Sequence, residues 1–312
     1  MKETDQKQSR DQVLPNIPKG FDLPFYYGAF TNLGVDYLVP KATAENLLRE
    51  CAGHDALAVA EFDDEQACLS FNYQLYFGQF SNGGAVIQEI EFNIISYPKA
   101  QAHRVPKLTY ERYAKGEDQT HYLGFWRYRV ACDSPLAIAA GEKLFGEPKF
   151  KADFKTAIPV PNGTPAQGSG KSGGGGTTWY DTWKVTCLKE KGSSATEKNA
   201  KAESYFTFTV DLRGLQARSV STAPFTEYGH REKKALAAPL NVFHPYQWYD
   251  LAKAKEQTNA VKRVTLKRGT ASDERIKSFL DTIGTHDPVG AWLFQSPPVA
   301  AQNRPYYVPT PT

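Results

Sequence analysis

The sequence predicts a mainly β protein, β-rich α+β in detail, built as a single curved or closed antiparallel barrel-like sheet with a few short helices. Two observations carry that expectation. The 312 residues include 17 Tyr and 18 Phe but one Met, and aromatic side chains suit the pleated, half-buried surface of a sheet. Runs of alternating or interrupted apolar residues also recur along the chain, whereas helical spacing appears only in short stretches.

Residues 1–18 are polar, lack periodic apolar positions and read as a disordered tail. Residues 21–38 are aromatic and interrupted by Gly28 and Gly34, a strand-and-turn pattern that Pro40 closes. Thr43 offers an N-cap for a short helix over 44–50 whose leucines face inward. Strands are expected over 57–62, 67–80, 85–97 and 122–132. Ser81-Asn82-Gly83-Gly84 is a hairpin-type turn between the second and third of these. Residues 161–178 are low-complexity and read as a mobile hairpin tip, and 189–203 form a second mobile polar insertion. Residues 205–210 alternate cleanly and predict a strand. A short helix is expected over 251–255. Another spans 272–283, with Ser272 and Glu274 at its start and Ile276, Phe279, Leu280 and Ile283 at helical spacing. Residues 291–294 close the pattern as a strand ended by Pro297-Pro298. Residues 19–312 are taken as one domain.

Composition excludes several functions. The 37 basic and 34 acidic residues leave a net charge of +3, too even for a nucleic-acid or membrane partner. The groups Arg231-Glu232-Lys233-Lys234 and Lys262-Arg263 read as solvated faces. Cys51, Cys68, Cys132 and Cys187 have no CxxC spacing and read as free, mostly buried thiols. The six histidines, His54, His103, His121, His230, His244 and His286, show neither HxH nor HExxH spacing, so no metal site is expected. The N-terminus has no apolar core of a secretory signal, and no segment reaches the ~18 consecutive apolar residues of a membrane span. A cytoplasmic protein is the expectation. Gly170-Lys171-Ser172 is not a P-loop, because Pro165 stands where the motif needs glycine and a strand rather than a helix follows.

Chemistry concentrates in residues 137–150, Ala-Ile-Ala-Ala-Gly-Glu-Lys-Leu-Phe-Gly-Glu-Pro-Lys-Phe. A small apolar run leads into a glycine-bounded turn and then to Lys149, fixed behind Pro148. A lysine in such a place is either a solvated loop cation or a buried amine. Upstream, Gln88-Glu89-Ile90-Glu91-Phe92 puts both glutamates on one strand face. That face either lines a barrel interior or meets water, and water is the commoner outcome. Arg127 and Arg129, two apart on a strand, share a face that is either a surface or a carboxylate clamp.

The spacing Ala-Ile-Ala-x-Gly-x-x-Leu-x-x-x-Pro-Lys over 137–149 resembles the active-site segment of the acetoacetate decarboxylase-like superfamily. Weaker, pattern-level similarity extends from about residue 21 to 295. The resemblance implies that Lys149 attacks a ketone carbonyl and forms a Schiff base, with no cofactor. A free lysine has a pKa of about 10.4, so the chemistry calls for depression by burial or by a second cation. The decarboxylases carry a second lysine directly after the first; here Phe150 stands there, which leaves desolvation, with help from Arg127 or Arg129. The expected substrate is a small β-keto or 2-oxo acid, undergoing decarboxylation or aldol or dehydration chemistry. Glu89, Glu91, Glu147 and Tyr128 are candidates to move the proton. Arg127, Arg129, Tyr128 and Phe150 are the candidate substrate-binding residues. The resemblance also implies a homo-oligomer. The rival readings are a non-catalytic β-barrel protein holding a small apolar ligand, and a heme- or metal-dependent enzyme.

Overall fold

The computed structural model describes residues 14–80, 83–159, 182–190, 202–221, 223–242, 246–257, 262–296 and 300–310. The expected tip over 161–178, most of the insertion over 189–203, most of the tail, residues 81 and 82 of the hairpin turn, His244 and Pro297-Pro298 lie outside them. Within the described residues the strands in chain order are β1 (Phe25–Pro40), β2 (Leu57–Val59), β3 (Gln66–Phe80), β4 (Gly83–Pro98), β5 (Gly124–Cys132), β6 (Lys149–Ala157), β7 (Thr182–Lys189), β8 (Ser204–Asp211), β9 (Arg218–Ser219), β10 (Phe225–Arg231), β11 (Lys234–Val242), β12 (Gln247–Asp250), β13 (Val264–Arg268), β14 (Pro288–Ser296), β15 (Ala300–Gln302) and β16 (Tyr306–Tyr307).

Hydrogen-bonded neighbours run from β1 through β3, β4, β5, β10, β11 and β15 and return to β1, which closes a barrel. The predicted closed, sheet-rich architecture is therefore present. It is mixed rather than wholly antiparallel. One edge of β5 takes β10 along its first half and β6 along its second, and both pairs are parallel. The β5–β6 pair needs a crossover, which the helix Pro135–Ala140 supplies.

From β6 a second sheet, β6-β7-β8-β13, continues outward and packs over the outer face of β3 and β4. Phe71 meets Phe208 with ring centroids 5.1 Å apart, and Phe92 meets Phe206 at 5.6 Å and Phe279 of the helix Glu274–Ile283 at 5.2 Å. The opposite face of the same hairpin, carrying Asn72, Gln74, Glu89, Glu91 and Asn93, lies inside the barrel, where all five are buried. Both faces of β3–β4 are thus covered, one in oil and one in a polar interior. A polar interior leaves the same alternation in the sequence as a solvated face, and its burial corrects the expectation that Glu89 and Glu91 face water.

The helices follow the expected pattern with shifted starts. The first, Lys41–Arg49, begins directly after Pro40 with no side-chain cap, so Thr43 lies within it rather than at its start, and Ala44, Leu47 and Leu48 are buried. The helix Glu274–Ile283 is capped by Asp273, which accepts from the Ile276 amide, and it buries Ile276, Phe279, Leu280 and Ile283. The four cysteines are free and buried.

Candidate active site

Lys149 opens β6, and the segment before it explains its position. Ser134 caps the helix Pro135–Ala140 through its hydroxyl, which accepts from the Ala137 amide at 3.3 Å. The chain then winds into a π-turn, Gly141–Phe145, and Gly146 reverses it in the left-handed region at φ 66°. Gly141 is a close-approach glycine. A Cβ on it would lie 2.4 Å from Lys149 Cε and 2.6 Å from Glu147 Oε2. The small-residue run therefore lets backbone and lysine share one wall of the barrel interior.

Inside, the Lys149 ammonium donates to Glu89 Oε1 at 2.6 Å and sits 3.1 Å from Glu147 Oε2. Glu89 also accepts from Tyr76 Oη at 2.9 Å and from Gln74 Nε2 at 2.8 Å. Gln74 donates again to Glu91 at 3.0 Å, and Asn72 reaches Glu91 at 2.8 Å. Arg127 pairs with Glu91 at 2.7 Å, donates to Asn93 at 2.8 Å, pairs closely with Glu227 of β10, and comes within 3.9 Å of Glu147. Four carboxyls and two cations thus share one hydrogen-bonded cluster. Its lysine end opens on a pocket of about 420 Å³ that Tyr27, Tyr76, Ala137, Ala140 and Phe145 also line.

The electrostatics reverse one expectation. Burial works to lower the Lys149 pKa, but the charges of Glu147 and Glu89 outweigh it and hold the amine well above its ordinary value. Desolvation alone does not free this amine, because its partners are carboxylates rather than a second lysine. Burial would raise Glu89, yet the charge and hydrogen bond of Lys149 keep it below the ordinary range. Burial pushes Glu91 up to about 6 and Glu227 up to about 8, in each case against the pull of Arg127. Burial, with the charges of Glu227 and Glu89 adding, raises Tyr27, and burial with Glu89 raises Tyr76.

Of the residues singled out in the sequence, Lys149, Glu89, Glu91, Glu147 and Arg127 come together. Arg129, Tyr128 and Phe150 do not. The β4–β5 register slips so that Phe92 faces Arg129 while Asn93 faces Arg127, leaving Tyr128 as the extra residue of a bulge. The bulge ends the shared face expected of the two arginines. Arg127 turns into the barrel. Arg129 turns away to pair with Asp273 at 2.7 Å and lies over the Phe150 ring at 4.3 Å. Tyr128 Oη donates to Glu50, at the end of the first helix. Phe150, next along β6 from Lys149, faces the other way and meets Tyr205 at 5.4 Å.

Glu227, Gln74, Tyr76 and Tyr27 join the site although no motif singles them out. Glu227 sits in Phe-Thr-Glu-Tyr, and the apolar neighbours flanking a lone acid were the available signal. Gln74 and Tyr76 lie at alternate positions of β3, on the face that carries Asn72.

No family model and no curated protein matches the sequence. Solved structures do match in fold. An acetoacetate decarboxylase-like enzyme from Sphingomonas wittichii RW1 is 14% identical, with a TM-score of 0.54 over 93% of this chain and 97% of that one. The enduracididine biosynthesis enzyme MppR complexed with pyruvate is 10% identical, with a TM-score of 0.52 over 97% of this chain and 95% of that one. MppR with the condensation product of pyruvate and imidazole 4-carboxaldehyde is 10% identical, with a TM-score of 0.53 over 98% of this chain and 100% of that one. With TM-scores of 0.52 to 0.54 over nearly the whole length of both chains, this protein has the acetoacetate decarboxylase-like fold.

Proposed function

We propose that the chain is a lyase that forms a Schiff base between Lys149 and a small β-keto or 2-oxo acid. The observation that carries the reading is an amine buried at the end of a pocket, in direct contact with two carboxylates that can take its proton. The 2.6 Å bond to Glu89 is the exit route for that proton. The neutral amine adds to the carbonyl carbon and gives a carbinolamine. Loss of its hydroxyl as water needs an acid, and Glu227, protonated below about 8, lines the same pocket. The protonated imine then draws the electron pair from the bond that breaks at the neighbouring carbon. That bond is to carbon dioxide, to an aldehyde carbon or to a proton. In the last case the enamine then expels a hydroxyl on the next carbon as water, and otherwise it takes a proton on carbon, before the imine is hydrolysed from the lysine.

The substrate carboxylate is assigned to the Arg127–Glu227 end of the cluster. Arg127 already holds Glu91 and Glu227, so an incoming carboxylate binds there by sharing the guanidinium, which leaves the Glu227 proton for the carbinolamine. Pyruvate bound to a protein of this fold, and pyruvate condensed with an aldehyde in it, support a small 2-oxo acid and a carbon–carbon bond adjacent to the imine.

A second reading rests on the same ion pair. A lysine held protonated is a poor nucleophile, and a barrel pocket with aromatic walls suits a protein that only binds a ligand. Borohydride trapping with pyruvate and with acetoacetate, followed by peptide mass analysis, decides between them. The lyase reading expects a reduced adduct on Lys149 that Lys149→Ala abolishes. Folded protein that gives no adduct with either ketone leaves the binding reading.

A further inference from the structure

A second chamber lies in the fold, and it shares no lining residue with the Lys149 pocket. Its empty space, counted out to an open mouth, is about 610 Å³. Tyr113, Phe125, Phe225, Tyr246, Trp248 and Trp292 supply its walls. Their rings are mutually braced: Phe125 lies 4.3 Å from Phe225 and 6.3 Å from Trp292, and Trp292 lies 6.0 Å from Tyr246.

The charged groups among the described lining residues are both carboxylates, Asp36 and Asp118. Asp118 is fully engaged in its own loop, accepting from the Thr120 amide and hydroxyl and from the Leu123 amide. Asp36 is different. It is 4% exposed and accepts from Tyr110 Oη at 2.9 Å and Trp292 Nε1 at 3.2 Å, both neutral donors. Burial drives its pKa up to about 6, and only hydrogen bonds, no cation, oppose that rise. A carboxylate left in an apolar place without a counter-charge is costly. Aromatic faces beside it present negative potential to whatever enters. Trp248 already shows that preference on one face, where the Arg218 guanidinium carbon lies 5.5 Å from its ring centre. Among the described lining residues no cation stands to receive an anion.

We propose that this chamber is a binding site, separate from Lys149, for a small organic cation: an ammonium ion carrying an aromatic or bulky alkyl group. The ammonium sits against Asp36 and the faces of Trp248 and Trp292, and the apolar group fills the space between Phe125, Phe225 and Tyr246.

Phenyltrimethylammonium and its uncharged isostere tert-butylbenzene test the proposal on the full chain, by calorimetry and by tryptophan fluorescence. The cation is expected to bind saturably and to quench fluorescence, with the isostere at least about tenfold weaker, since it lacks the charge that the ring faces and Asp36 attract. Asp36→Asn keeps an acceptor for Tyr110 or Trp292 and removes the charge; it is expected to weaken the cation at least about tenfold and leave the isostere unchanged. Lys149→Ala is expected to leave cation binding intact. The proposal is overturned if the cation gives no saturable signal at millimolar concentration. Equal affinity for the isostere, or binding lost in Lys149→Ala rather than in Asp36→Asn, overturns it as well. The comparison of cation with isostere uses the native chain and holds even where the variant fails to fold.

Discussion

Gly141→Ala is the sharpest probe of how the lysine is positioned. The added Cβ would stand 2.4 Å from Lys149 Cε, whereas carbon atoms settle at about 3.6 Å. The lysine carbon must therefore move by about 1.2 Å, and a misplacement of about 1 Å can cost on the order of a hundredfold in a positioned reaction. The backbone itself tolerates alanine, because Gly141 has right-handed helical angles of φ −56° and ψ −50°. Alanine in a helical conformation gains about 1 kcal/mol over glycine, which offsets part of the roughly 1–3 kcal/mol cost of overpacking. Gly141→Ala is thus expected to fold with a denaturant midpoint near the native one, while the rate of borohydride-trapped adduct on Lys149 falls on the order of a hundredfold. The assay is initial adduct rate at saturating pyruvate, with urea unfolding measured in parallel. A variant that traps at the native rate would refute the argument that Gly141 fixes the amine. A variant that loses stability by several kcal/mol would show that the clash is relieved through the backbone instead.

Glu227 gives a pH prediction. Its folded value of about 8 exceeds its ordinary 4.5, so between those values the folded chain holds a proton that the unfolded chain has lost. Its contribution is fully present below the unfolded value and declines as pH rises through the folded one. Urea midpoints should fall from about pH 5 to 8, and Glu227→Gln should flatten that fall; an unchanged slope would refute the assignment. Arg127→Met leaves Glu91 and Glu227 buried without their cation and should cost about 3–5 kcal/mol. Adding Glu227→Gln should recover part of that loss, and a double-mutant cycle showing no coupling would count against the cluster. Arg129→Ala and Phe150→Ala lie outside the pocket. Each should leave the Lys149 adduct rate within about threefold of native, and a loss near that of Lys149→Ala would return them to the site.

Much of the strand pattern was legible because aromatic alternation and turn residues are local signals. The helix over 274–283 was legible for the same reason, since Ile276, Phe279, Leu280 and Ile283 report one face without help from the rest of the fold. Lys149 was legible through its spacing from Gly141 and Pro148. Other features depend on pairing across strands. The inward face of Glu89 and Glu91 follows from β3 and β4 being covered on both sides, and no window of sequence contains that fact. The split of Arg127 from Arg129 follows from one bulge, which reverses a face by one residue. Glu227 joins Arg127 through a parallel contact between β5 and β10, about a hundred residues apart. The sign of the lysine's pKa shift depends on which charges surround it, and the two that decide it, Glu89 and Glu147, come from separate segments.

The resting ion pair bears directly on the imine proposal, and it does not oppose it. Ammonium and protonated imine carry the same positive charge at the same nitrogen. Glu89 and Glu147, at 2.6 and 3.1 Å, therefore favour both over the neutral amine. They hold down the population of nucleophile but also hold the iminium once it has formed. Removing one carboxylate should act oppositely on the two. With Glu147→Gln, less charge restrains the proton on Lys149, the neutral amine is more populated, and initial trapping at neutral pH should be faster. The accumulated iminium, having lost a neighbouring negative charge, should be less stable, so the fraction of protein trapped at equilibrium by a brief borohydride pulse should fall. On the imine proposal the native chain should trap faster as pH rises, because the step that limits attack is loss of the ammonium proton. If Glu147→Gln slows attack and lowers the equilibrium adduct together, Glu147 acts as the acceptor of that proton and not as a bystander charge. If neither quantity changes, the carboxylate does not see the nitrogen, and the geometry described here would be wrong at its centre.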